Sequence, residues 1–123
     1  MFLGARENEW RIRVVPEQRV QVRPTRFRIP DVCVVLADSP VEAIFRRSPF
    51  ICIEILSKDD TFRSLTERLD DYIAMGVPNV WVIDPNKRRG YFYNSDGIIE
   101  AKDSVLRVPN SEIAVPLASI FES

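Results

Sequence analysis

Three polar side chains occupy unusual positions in this sequence, and a fourth lies close to one of them. Asp31 stands at the start of an apolar run, Glu54 interrupts a second apolar run, and Arg68 flanks the apolar stripe of a predicted helix. Lys58 follows Glu54 by four residues. A carboxylate in a buried strand is unfavourable unless it is paired, hydrogen-bonded or bound to a metal. The pattern therefore indicates either a binding site around Glu54 or a structural ion pair between Glu54 and an arginine.

The two acids suggest a site for a divalent cation. If the strands that carry Asp31 and Glu54 pair, the two carboxylates converge at one end of a sheet. Like charges about 4 Å apart repel by roughly 4 kcal/mol at an effective dielectric of about 20, which raises one pKa or recruits a cation. Mg²⁺ binds through one or two carboxylates and also takes phosphate oxygens, and such an ion promotes phosphoryl transfer. We predict Asp31 and Glu54 as ligands of Mg²⁺ or Mn²⁺, with Lys58 or Arg68 stabilising the developing charge.

Composition narrows the chemistry further. The chain of 123 residues contains no histidine, which excludes Ser-His and Cys-His catalysis and metal sites built on imidazole. The net charge of −1 gives no overall attraction to nucleic acid. Residues 1–28, however, contain seven arginines and three acids. This segment forms either a local positive surface or the solvated face of a hairpin.

A strand–helix–strand passage positions Glu54 and Arg68. Apart from Glu54, residues 50–56 are apolar and rich in β-branched side chains, as expected for a buried strand. If the extended chain continues to Lys58, Glu54 and Lys58 share a face. Asp60 or Thr61 then provides a helix N-cap, and Gly76 a C-terminal cap. Residues 80–83 form the next strand, and a helix of about 14 residues between two buried strands favours a crossover with parallel pairing.

The helix is amphipathic. Its apolar residues recur at helical spacing and form one stripe: Phe62, Leu65, Leu69, Tyr72 and Ile73. The acids Glu67, Asp70 and Asp71 are predicted to lie on the outer side.

Hairpins surround this unit. Residues 10–15 and 19–23 alternate in polarity on either side of a turn at Pro16-Glu17, which suggests two paired strands. Residues 32–37 form a third strand, and residues 90–93 pair with residues 98–100. The predicted fold is α/β (α+β): one domain over residues 1–123, a mixed β-sheet with one principal helix packed on it. Cys33 and Cys52 are interpreted as reduced, buried residues.

Several stretches resemble the Uma-two (Uma2) family, proteins classed as restriction endonucleases. The resemblance covers most of the chain and is much more specific than any single stretch. It is carried by Arg28-Ile-Pro-Asp31-Val, Phe50-Ile-Cys-Ile-Glu54-Ile-Leu-Ser57, Glu67-Arg68-Leu-Asp-Asp-Tyr72, Gly76-Val-Pro-Asn-Val-Trp81-Val-Ile-Asp84-Pro85 and the hairpin that follows.

The resemblance implies a restriction-endonuclease-like PD-(D/E)XK fold with a magnesium-dependent phosphodiesterase site. Asp31 and Glu54 would be its metal-binding acids. Leu56 stands where such nucleases usually carry a lysine, and Arg68 stands where the family carries a lysine on the following helix. Ser64 stands where the family often has aspartate. The resemblance also implies that the chain lacks the family's N-terminal helical segment.

Three functional hypotheses follow. The first is a metal-dependent DNA endonuclease that hydrolyses phosphodiester bonds. The second is a catalytically inactive nuclease-fold protein that binds nucleic acid or a protein partner, favoured by arginine at position 68, because arginine cannot act as a general base. The third makes Glu54 and Arg68 a purely structural pair. We expect a cytoplasmic protein with no membrane association, and a homodimer is the commonest symmetric assembly for such a domain.

Overall fold

The computed structural model describes residues 2–40 and 42–121. The helices are α1 (Phe2–Ala5), α2 (Glu7–Trp10), α3 (Phe62–Met75) and α4 (Leu117–Phe121). The strands are β1 (Ile12–Pro16), β2 (Arg19–Arg23), β3 (Arg26–Arg28), β4 (Val32–Leu36), β5 (Ile44–Phe45), β6 (Ile51–Ile55), β7 (Asn79–Asp84), β8 (Arg89–Asn94), β9 (Gly97–Glu100), β10 (Val105–Arg107) and β11 (Ala114–Pro116).

A mixed sheet forms the centre of the molecule, with strand order β1-β4-β6-β7-β8-β9. Its neighbours are antiparallel except β6 and β7, which are parallel and are joined through α3. Thr61 caps this helix in a capping box with Ser64, and Gly76 ends it with a left-handed φ of 100°. The predicted strand–helix–strand unit is confirmed.

The two faces of β6 lead to two apolar clusters. Ile51 and Ile53 belong to the cluster that contains Trp81, whereas Cys52 belongs to the cluster beneath α3. Because side chains alternate along a strand, Glu54 shares the α3 face with Cys52. Both faces of the strand are covered, which explains why the sequence there is an almost continuous apolar run.

The predicted pairing of the first two strands is wrong. β1 pairs with β4 at the edge of the large sheet, while β2 joins a separate sheet with the order β3-β2-β5. Glu17 takes a left-handed φ of 52° between them. Val20 and Val22 are then buried in the cluster beneath α3, so burial against the helix, and not pairing with β1, determines where β2 lies.

The small sheet also changes the environment of the helix acids. Glu67 and Asp70 are exposed as predicted, but Asp71 is buried with 2% exposure. The prediction for Asp71 is wrong because arginines of the β2–β3 hairpin cover it and pair with its carboxylate.

The start of the described chain is helical where the sequence carries no clear pattern. Trp10 ends α2 and does not begin a strand, and β1 starts at Ile12 after Arg11 takes a left-handed φ of 54°. Within the described residues, no helix is both long enough and apolar enough to cross a membrane. Cys33 and Cys52 are free and buried, and they lie opposite each other on β4 and β6.

Candidate active site

The pairing of β4 with β6 brings Asp31 and Glu54 together. The two strands are antiparallel with Val32 opposite Ile53, so the next position in this register sets Asp31 opposite Glu54. Opposed side chains share a face, with Cβ atoms typically about 4.5–5.5 Å apart. Asp31 Oδ2 also accepts a hydrogen bond of 2.6 Å from the Ile55 backbone N–H. This bond fastens the Asp31 carboxylate beside the strand that carries Glu54.

Glu54 is held through one of its two carboxylate oxygens. The Tyr72 hydroxyl donates a 2.6 Å hydrogen bond to Oε1, and Arg68 Nε lies 3.5 Å from the same atom. Among the described residues, none donates a hydrogen bond to Glu54 Oε2 or to Asp31 Oδ1. When Glu54 is ionised, each carboxylate therefore accepts a hydrogen bond through one oxygen and retains the other as an acceptor.

Burial makes the Glu54 carboxylate unusual. Glu54 is 3% exposed, whereas Asp31 is exposed at the end of the sheet. Desolvation raises the pKa of Glu54 to about 7. The Tyr72 hydrogen bond and the Arg68 charge oppose this rise, whereas Asp31 reinforces it through its charge and through a hydrogen bond with the protonated form of Glu54. Near neutral pH, Glu54 can therefore either hold a proton or carry a charge that attracts a cation.

Arg68 is fixed between two acids. Its Nη1 atom lies 3.2 Å from Asp60 Oδ1, and its Nε atom faces Glu54. The backbone N–H of Ser57 donates to Asp60 Oδ2 at 2.9 Å, and this bond, with the Arg68 charge, lowers the pKa of Asp60. Arg68 meets Glu54 in a single contact of 3.5 Å and not in the short bidentate contact expected of a purely structural pair.

Lys58 is not brought to this cluster. The strand that contains Glu54 ends at Ile55, and Lys58 lies exposed in the turn that follows. The predicted shared strand face of Glu54 and Lys58 is therefore wrong, because β6 ends at Ile55 and Lys58 belongs to a turn. Asp31, Glu54 and Arg68 meet, and Lys58 forms no salt bridge with Glu54 within the part of the chain that is described.

Sequence reasoning missed two members of the cluster. Tyr72 was assigned only to the apolar stripe, and Asp60 only to a helix cap. A signal for Tyr72 was available, because a buried tyrosine hydroxyl usually requires a hydrogen-bond partner. In the folded chain, Tyr72 is fully buried and Glu54 is that partner.

The donor set suits a hard cation with few protein ligands. Two neighbouring carboxylates, each with one free oxygen, match Mg²⁺, which binds through one or two carboxylates and keeps several waters. No group of three or more His, Cys, Asp or Glu side chains that could hold a metal occurs in residues 2–40 and 42–121. The metal would therefore take its remaining ligands from water or substrate. A surface cavity of about 260 Å³ lies elsewhere, beside Val35, Phe45 and Arg47.

Tyr72→Phe is predicted to raise the pKa of Glu54 above its value of about 7, because the lost hydrogen bond stabilises the charged carboxylate. Carbon-13 NMR of labelled glutamate carboxyls, titrated with pH in the absence of metal, measures this pKa. Tyr91→Phe, in which the hydroxyl of a half-buried tyrosine on β8 is removed, serves as the control. An unchanged or lowered pKa in Tyr72→Phe would show that Tyr72 does not stabilise the charge.

Comparisons with known proteins identify the family and the fold of this chain. The family model Uma2, described as "Putative restriction endonuclease", matches residues 2–117. A crystal structure described as "a putative nuclease belonging to DUF820 from Anabaena variabilis ATCC 29413" is similar to this chain, with a TM-score of 0.77 and 21% identity. The match covers 97% of this chain and 73% of the other, and at this identity it establishes the fold alone. No curated protein matches the chain.

The family match spans nearly the whole sequence and includes Asp31, Glu54 and Arg68. The recognised fold, a large mixed sheet with one main helix, is confirmed. The chain belongs to the Uma2 family of restriction-endonuclease-like proteins.

Proposed function

We propose that this protein is a divalent-metal-dependent DNA endonuclease that hydrolyses phosphodiester bonds. One observation carries the proposal: Asp31 and Glu54 lie opposite each other at the end of a sheet, and Arg68 contacts Glu54. Among the described residues, one oxygen of each acid accepts no hydrogen bond when Glu54 is ionised. Because Asp31 is exposed, a bulky polymer could approach the site without entering a closed pocket.

In this proposal, each residue of the site has a distinct role. Asp31 and Glu54 would hold Mg²⁺ or Mn²⁺, which when bound supplies Lewis acidity and a more acidic water. Arg68 remains protonated, so it would stabilise negative charge on the phosphate and could not remove a proton. Tyr72, kept neutral because burial and the Glu54 charge raise its pKa, would orient the Glu54 carboxylate.

Lys58 has a different role in this proposal. It is exposed in the turn after β6 and is not tied to the acids. Its ammonium group is free to contact a phosphate of bound DNA, whereas Arg68 is already fixed beside Glu54.

The direct test is nicking of supercoiled plasmid by the purified protein. We expect cleavage with Mg²⁺ or Mn²⁺ and none when EDTA replaces the metal. Equal cleavage in EDTA would contradict metal dependence, and a protein inactive with both metals would contradict the proposed reaction.

The alternative is a nuclease-fold protein that binds nucleic acid or a protein partner without cleaving DNA. The observation that favours it is arginine at position 68: among the described residues, Arg68 and not a lysine forms the salt bridge with Glu54. Binding of duplex DNA without nicking in either metal would support this alternative.

A further inference from the structure

A second charged cluster lies beside the candidate active site. Its centre is Asp71, buried to 2% exposure on α3. Arg28 Nε donates to Asp71 Oδ2 at 2.9 Å, and Arg26 Nη1 lies 3.3 Å from both carboxylate oxygens. Arg23 Nη2 completes the cluster at 3.4 Å from Oδ1. One buried carboxylate thus holds three guanidinium groups.

The cluster carries more charge than its internal pairing requires. Three cations and one anion leave a net charge of +2. Each guanidinium has five N–H donors, and each of the three meets Asp71 through only one of its nitrogen atoms. The side chains of Arg23 and Arg26 are 56% and 47% exposed. Most of their donors are therefore available to a ligand in solvent.

The position of the cluster relates it to the candidate site. Asp71 follows Arg68 by three residues on α3, so the two residues lie one turn apart on neighbouring parts of the helix surface. Arg68 contacts Glu54, and the β2–β3 hairpin carries the three arginines. The arginine cluster is therefore held about one helical turn from the residue that contacts Glu54.

We propose that Arg23, Arg26 and Arg28, held by Asp71, form a binding surface for the phosphate backbone of duplex DNA. The inference rests on the proposed function, because that function supplies the polyanion. The planar, permanently charged guanidinium group matches the geometry of a phosphate. Asp71 restricts the motion of the arginine heads before DNA arrives, which reduces the entropy lost on binding. The surface gives affinity without reading sequence.

The competing explanation is that the cluster only attaches the hairpin to α3. Arg23→Gln separates the two explanations, because Arg23 makes the longest contact with Asp71 and leaves Arg26 and Arg28 in place. Arg26→Gln is a second variant. Arg107→Gln is the matched control. Arg107 is 54% exposed and also pairs with one acid, Asp103, but it lies outside the β2–β3 hairpin.

Binding of a short, fluorescently labelled duplex is measured by anisotropy in EDTA, over a series of salt concentrations, so that cleavage plays no part. We expect Arg23→Gln and Arg26→Gln each to weaken binding by about 5- to 10-fold and to reduce the salt slope by about 0.9. Arg107→Gln should bind like the parent. Circular dichroism confirms that each variant is folded.

Three results would contradict the proposed DNA-binding surface: no binding by the parent, unchanged binding by both hairpin variants, or equal weakening by Arg107→Gln. None of these decides the reaction, because plasmid nicking and its dependence on Glu54 are measured separately. Nicking that is lost in Glu54→Gln but retained with parental DNA affinity in the hairpin variants would refute this inference alone.

Discussion

Glu54→Gln is expected to lower the rate of plasmid nicking by about 10²- to 10³-fold. Glutamine keeps the size of the side chain and an oxygen that can accept the Tyr72 hydrogen bond, but it removes the negative charge that a hard cation requires. Asp31→Asn should have a similar effect. Asparagine can still accept the hydrogen bond from Ile55 N–H, but it lacks the negative charge of aspartate.

The two acids are expected to act as a unit. The double variant should therefore be no slower than the more damaged single variant, as is usual when residues share one function. Glu100→Gln is the control, because Glu100 is a partly exposed acid on β9 whose pairing with Arg89 is long, at 3.9 Å. Parental cleavage rates in Glu54→Gln would contradict the site.

Glu54→Gln is also expected to stabilise the protein above neutral pH. The pKa of Glu54 is raised by burial from 4.5 to about 7. A folded-state pKa above the unfolded one means that the folded protein binds more protons between these values, so stability falls as pH rises from 4.5 through 7. At about 1.4 kcal/mol for each pKa unit, the ionised carboxylate lowers the free energy of unfolding by up to about 3 kcal/mol.

Glutamine does not ionise, so Glu54→Gln should remove this pH dependence. Urea unfolding without metal should give similar stability to the parent at a pH of about 4.5 and greater stability, by up to about 3 kcal/mol, at a pH of about 8. Arg68 would retain its contact with Asp60. If the Glu54–Arg68 pair were purely structural, the variant would instead be less stable at the higher pH. Glu100→Gln should change stability by less than about 1 kcal/mol at either pH.

The central strand–helix–strand unit was predictable because its signals are local. The apolar run around Glu54, the cap at Thr61 and the glycine at position 76 each specify a structure from nearby residues. The meeting of Asp31 with Glu54 followed from one further assumption, that their strands pair, and β4 does pair with β6. Their role as metal ligands stays a prediction.

Most of the wrong predictions concern contacts between segments that are distant in the sequence. Nothing in the alternation of β1 indicates that its partner is β4 and not β2, since either pairing buries one face. Asp71 lies beside an apolar stripe in a pattern typical of a solvated flank, and only the folding of the β2–β3 hairpin over α3 buries it. The prediction that Lys58 shares a strand face with Glu54 is wrong because β6 ends three residues before Lys58.

Calorimetric titration with Mn²⁺ tests most directly whether Asp31 and Glu54 together bind a divalent cation. The account predicts binding at millimolar or lower Mn²⁺ by the parent and by Glu100→Gln, and affinity at least about 10-fold weaker in both Asp31→Asn and Glu54→Gln. A parent protein that does not bind Mn²⁺, or variants that bind it as well as the parent, would contradict the account.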